Sequence, residues 1–202
     1  MMKIGKLYQL SEWAMKLALV NLLWLLYSVL GLLIFSLFPA TSAMFYIIRK
    51  WLIGETEIPL WKTFHQQFKS DFKQINIIGV LFFLIGLLLF IDVRFFISSH
   101  NPLLNIAGIF VLLVVFIYAA CLIYIFPIYV HYQLRTLEYL KSSFIIALGR
   151  PIQTFLMILG VAVIGLLFKS VPGLIPFFSG SFSALILMKV ASISFETKPS
   201  YL

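Results

Sequence analysis

The chain has 202 residues, 62% of them hydrophobic and only 11% charged, with fifteen Lys and Arg against seven Asp and Glu. Soluble domains carry roughly 45–50% apolar and about 25% charged residues, so a soluble globule of this length is excluded: it has no interior large enough to hide the excess. The net charge of +8 is then a topology signal first, because Lys and Arg collect on the cytoplasmic side of membrane proteins.

Residues 5–16 put Leu7, Leu10, Ala14 and Leu17 at helical spacing and predict a short surface helix feeding the first span. The apolar run after Lys16 is about twenty residues, longer than the roughly 7–15 of a cleaved signal's core. It is expected to be a retained span over 17–37. Asn21 is its one strongly polar residue, and an interhelical hydrogen bond is its expected role, with a substrate contact as the alternative.

Pro39 is expected to break the helix, since it lacks an N–H and clashes with the preceding turn. Residues 40–53 resume a helical pattern that ends in Arg49, Lys50 and Trp51. They are too short for a full crossing of about 20 residues and predict a short return segment. A turn follows over 54–59, with Gly at the helix stop and Pro shortly after.

Residues 60–74 read as a surface helix. Trp61, Phe64, Phe68 and Phe72 fall on an arc of about 80° at 100° per residue, while Lys62, Lys69 and Lys73 follow one position later. That is an interfacial amphipathic helix with its aromatic side in the headgroup zone. A partner-docking helix has the same pattern, so these seven residues are the candidate interfacial or partner contacts.

Further spans are expected over 75–91, 103–130, 152–168 and 174–188. Pro127 predicts a kink near the end of the third span. Residues 132–148 predict a second helix leaving the membrane, 149–151 a stop and restart, and 196–202 a polar tail. Gln153 is polar within the fourth span. Phe38-Pro39 and Phe126-Pro127 form a weak internal echo, each followed by cations, a Pro and another apolar run.

Charge counting orients the chain. With five spans and no return segment, ten Lys and Arg lie on one side and five on the other. With 40–53 as a return limb, only Arg94 and Lys169 of the fifteen are external, and the positive-inside rule favours this arrangement. Both termini and 54–59 are then cytoplasmic and 98–102 external.

The expected fold is all-α: a single integral domain over 1–202, a polytopic helical membrane protein with five full spans, a short return segment and an interfacial amphipathic helix. No ionisable residue is expected inside a span, which argues against a pump or proton-coupled transporter. His65, His100 and His131 are scattered, and no HExxH, CxxC or phosphate-loop pattern occurs. No catalytic, cofactor or metal site is expected, and no enzyme. The lone Cys121 can form no intrachain disulfide, and no basic recognition motif points to nucleic acid.

The run Asn21-Leu22-Leu23-Trp24, then FPATSAMFYIIRKWLIGE over 38–55, FKSDFKQINIIG over 68–79 and LGRP over 148–151 resemble the YesL-like family of bacterial membrane proteins. The likeness covers about residues 5–190 and is strongest through 38–79. Members are often encoded beside carbohydrate ABC transporters and sugar-degrading enzymes. The resemblance implies a bacterial plasma-membrane protein accessory to sugar uptake, with the lipid bilayer and ABC transporter permease subunits as partners. It supplies no catalytic residues. The alternative from the residues themselves is a facilitator for a small polar solute, lined by Asn21, Gln153, Thr154 and the serines of the last span.

Overall fold

The computed structural model describes residues 2–33, 35–98 and 101–196; His100 and the tail 197–202 lie outside the described residues. The elements are seven α-helices and no strand among those residues: α1 Met2–Leu30, α2 Leu37–Leu52, α3 Leu60–Ile97, α4 Pro102–His131, α5 Thr136–Gly149, α6 Pro151–Ser170 and, after one 3-10 turn at Pro172–Leu174, α7 Ile175–Glu196. Five helical segments are long and apolar enough to cross a bilayer: Tyr8–Leu30, Leu60–Ile97, Leu104–His131, Pro151–Ser170 and Pro172–Phe195. Their outward faces carry Phe83, Leu88, Phe90, Ile109 and Phe110, each more than half exposed. Water would penalise so broad an apolar surface; lipid does not.

Several boundaries differ from the sequence expectation. The first helix runs unbroken from residue 2, so no separate surface helix precedes the span. It stops at Leu30 rather than 37. Leu32 and Leu33 take left-handed φ values of 62° and 58°, a conformation that costs an L-residue about 1 kcal/mol or more, and the Ser36 hydroxyl donates to the Ser28 carbonyl across the bend at 2.7 Å. Pro39 is therefore not the breaker. It sits in the first turn of α2, where a missing N–H removes no helical bond.

The short segment after it is the centre of the molecule. Nine of the 16 residues of α2 are buried, and it packs against α1, α3, α4 and α7. Ala40, Ser42 and Ala43 are fully enclosed, because small side chains let neighbouring helices approach closely. Trp24 of α1 donates its indole N–H to the Thr41 hydroxyl at 3.0 Å, and Lys16 of α1 reaches Glu57 at 3.5 Å. The 54–59 turn and the Lys16 region of α1 thus share one end of the bundle.

Residues 60–74 and the span after them are not two elements. They form one helix of 38 residues, Leu60–Ile97. Neither Gly nor Pro interrupts Lys73-Gln74-Ile75-Asn76, and one face stays buried across the join through Phe64, Asp71, Ile75, Ile78 and Phe82. At 1.5 Å per residue the helix is about 57 Å long, against a hydrocarbon thickness of about 30 Å.

The segment expected to leave the membrane after α4 instead folds back. Ser142, Ser143, Ile146 and Ala147 of α5 are buried, and α5 packs along α4. The two Phe-Pro pairs do not mark a repeat: Pro39 opens a helix and Pro127 lies inside one. Their phenylalanines instead meet, with the Phe38 and Phe126 rings stacked at 6.4 Å.

Candidate functional site

The aromatic row of α3 is divided between two environments. Phe64 is fully buried while Trp61 is 59% exposed and Phe72 40% exposed. The organising partner is Tyr27 of α1, whose ring lies 5.0 Å from both Phe64 and Phe68 and 5.9 Å from Trp61. Its hydroxyl meets His65 Nδ1 at 2.8 Å. The middle of the stripe is therefore protein core, and its edges remain outward. Lys62, Lys69 and Lys73 are exposed.

Asn21 is fully buried and fully satisfied. Its amide N–H donates to the Pro176 carbonyl at 2.8 Å, and its oxygen accepts the Gly180 and Ser181 N–H groups at 2.9 Å each. It inserts into the backbone ladder of α7 and pins that helix to α1. Thr154 is 2.9 Å from the Ala147 carbonyl and belongs to the α5–α6 corner, beside the half-buried Gln153. Asn21 is thus engaged at the α1–α7 contact and Thr154 at a different one.

A polar cleft of about 770 Å³ opens between α2, the first turns of α3 and the α4–α5 corner. Its lining includes Tyr46 and Arg49 of α2, Gln67, Asp71 and Gln74 of α3, Tyr129 and His131 of α4, and Tyr139 of α5. Ser70 and Gln133 form an exposed rim, while Asp71, Tyr129 and Tyr139 are buried at the floor. The seating follows from helical spacing: at 100° per residue Asp71 projects within about 20° of Phe64, on the side turned toward protein.

The carboxylate of Asp71 accepts from the Ser42 hydroxyl at 2.5 Å, from the Gln67 amide at 2.9 Å to both oxygens and from the Ser70 hydroxyl at 3.2 Å. The corner above it is held by Tyr139. Its phenol donates to the Tyr132 carbonyl at 3.0 Å and accepts from the Leu134 N–H at 3.1 Å. Burial pushes the Tyr139 phenol above its ordinary pKa; the Leu134 N–H pulls the other way, and the Asp71 and Glu138 carboxylates add to the rise. The hydroxyl stays protonated at neutral pH and remains a donor. Gln74 ties the corner to α3, donating to the Leu134 carbonyl at 3.1 Å. Glu138 reaches back to the Arg135 N–H at 2.8 Å and closes the first turn of α5 in the manner of a capping box.

Sequence reading singled out none of the cleft residues as a site. The available signal was Gln67, Asp71 and Gln74 at spacings of four and three, a polar row flanking the aromatic one. Asp71 is 5% exposed and sits on α3 before residue 75, outside the 75–91 stretch in which no ionisable residue is expected. Among the described residues no group of three or more His, Cys, Asp or Glu is placed to hold a metal ion.

Comparison with known proteins gives a family. Residues 17–93 match the family described as protein of unknown function, DUF624. Three uncharacterized proteins of Bacillus subtilis (strain 168) are similar over nearly the whole chain. YesL is 38% identical over 92% of this chain and 87% of its own length. YesV is 36% identical over 94% and 91%, and YteU 34% identical over 93% and 84%. No solved structure matches. Asn21 and Trp24, the central helix α2 and the cleft-forming turns of α3 all lie within the matched stretch, and the chain belongs to the YesL-like, DUF624 family of membrane proteins.

Proposed function

We propose that the protein is a non-catalytic accessory component of the bacterial plasma membrane, working by binding beside a carbohydrate ABC transporter. The observation that carries a binding role is the polar cleft at the end of the bundle where α2 ends and α3 begins. Its groups are arranged for recognition. Asp71 is engaged by three neutral donors, and His131 packs its ring on Tyr132 and Phe195 at 4.7 and 4.6 Å. The transporter as partner is supported by the gene neighbourhood that the family resemblance implies. Docking would use the exposed part of the 38–73 surface, Trp61, Phe72 and the three lysines, which flanks the cleft.

Copurification from native membranes in a detergent-free polymer, followed by mass spectrometry, tests the partner. Permease subunits are expected to be enriched over those recovered with an unrelated tagged membrane protein, and a variant carrying Lys62→Glu, Lys69→Glu and Lys73→Glu is expected to lose them. Their absence, together with solute flux into proteoliposomes holding this protein alone, would replace this reading with the facilitator.

In the same proposal both termini and the 54–59 turn face the cytoplasm. The Lys16–Glu57 ion pair supports a shared side for the turn and the start of α1, and the charge count supports the inner one. In a Cys121→Ser background, cysteines at Ser11 and Glu55 are expected to resist an impermeant maleimide in intact cells and to react after permeabilisation. Reaction at Ser11 in intact cells would invert the arrangement.

A further inference from the structure

Arg49 and Asp71 line the same cleft and do not pair. Among the described residues the ion pairs are Lys16–Glu12, Lys16–Glu57 and Lys50–Glu55. The Arg49 Nε is buried with no hydrogen-bond partner, whereas the adjacent Lys50 is satisfied by Glu55 at 2.7 Å. The Asp71 oxygens are filled by Ser42, Gln67 and Ser70. The anion of the cleft is thus held by neutral donors, and its cation is left over.

A buried charged donor without a partner is costly, and a guanidinium is a rigid fork whose geometry matches the two oxygens of a carboxylate or phosphate. The volume of about 770 Å³ is that of a small-molecule site, which typically runs about 300–1,000 Å³. The phenols of Tyr46 and Tyr132 and the amide of Gln133 also line the cleft and supply further hydrogen-bonding groups.

We propose that this cleft binds a small ligand through one anionic oxygen group, a carboxylate or phosphate, seated on Arg49. The negative charge of Asp71 in the same cleft selects against a second anionic group on the ligand. The group can arrive on a free solute or on a lipid headgroup, since the cleft lies near the end of α3 that carries the exposed lysines. The inference rests on the cleft being the working site and not on any protein partner, so a failed copurification leaves its test intact.

The test uses the full chain in nanodiscs of phosphatidylcholine at constant ionic strength. Inorganic phosphate and glycerol 3-phosphate are titrated, with thermal midpoint and calorimetry as readouts. In a parallel arm part of the phosphatidylcholine is replaced by phosphatidylglycerol. A saturable rise in midpoint with either soluble probe identifies a solute site; a rise only with phosphatidylglycerol identifies a headgroup site. In either case Arg49→Gln is expected to weaken the response by about tenfold or more, the worth of one charge-assisted hydrogen bond, and Lys50→Gln to leave it unchanged. No response of the wild-type protein in any arm overturns the proposal. So does a response that survives Arg49→Gln or is lost equally in Lys50→Gln. Should Arg49→Gln fail to fold, Arg49→Lys decides. It keeps the charge and loses the fork, so undiminished affinity would overturn the proposal.

Discussion

Phe64→Ser is expected to detach α3 from α1 and to remove most of the folded protein. Phe64 has no exposed surface and packs on Tyr27 at 5.0 Å. Emptying such a site costs about 3–5 kcal/mol, and the introduced hydroxyl adds an unmet hydrogen bond. Against a typical total stability of about 5–15 kcal/mol, that is a large share. Trp61→Ser, in the same row but 59% exposed, is expected to cost less than about a third as much, since burial of side-chain area sets the scale. Unfolding in mixed micelles measured for both variants separates two roles for the stripe. Equal losses would mean that the row acts as one lipid-facing surface; a loss concentrated at Phe64 means that its centre is a helix–helix joint.

Asn21→Leu is the second large effect. It removes three hydrogen bonds to the backbone of α7 and places a branched apolar group against the Pro176 carbonyl and two N–H groups. Polar contacts between membrane helices contribute about 0.6 kcal/mol on average and up to about 1.7, so the three together with the altered packing are expected to cost about 2–4 kcal/mol. Gly180 faces the same amide: a Cβ there would lie 3.1 Å from the Asn21 oxygen, 3.2 Å from the Trp24 ring and 3.3 Å from the Met44 methyl. Gly180→Ala is therefore expected to destabilise the wild type more than the Asn21→Ala background, with a coupling of about 0.5 kcal/mol or more in a double-mutant cycle. Additive losses would show that the amide does not close this approach.

Much of the architecture is legible in composition and hydropathy, because a long apolar run must be a helix in lipid. α4 and α6 appear within about two residues of their expected bounds. Breaks were harder. Pro39 carries a strong general signal, yet its effect depends on where it falls in a helix, and the chain turns earlier at Leu32 and Leu33, two residues with no sequence mark of a left-handed bend. The join at Gln74-Ile75 was missed because composition changes there while the backbone does not. The role of Asn21 was read correctly from chemistry alone, as a buried amide needs partners. The cleft was not legible: it assembles Arg49, Asp71, Tyr129 and Tyr139 from four helices, and no local spacing records which helices meet.

The unequal lengths of α3 and α6 give the two helices different tolerances to bilayer thickness. α6 has 20 residues, about 30 Å at 1.5 Å per residue, which equals the hydrocarbon thickness with nothing in reserve. α3, at about 57 Å, can meet a bilayer thicker by about 3 Å by immersing two further residues. α6 can meet it only by straightening or by drawing lipid inward, at a fraction of a kcal/mol per ångström. A thicker bilayer is therefore met by the spare turns of α3, on the side that carries the cleft, and is resisted by α6, which has none.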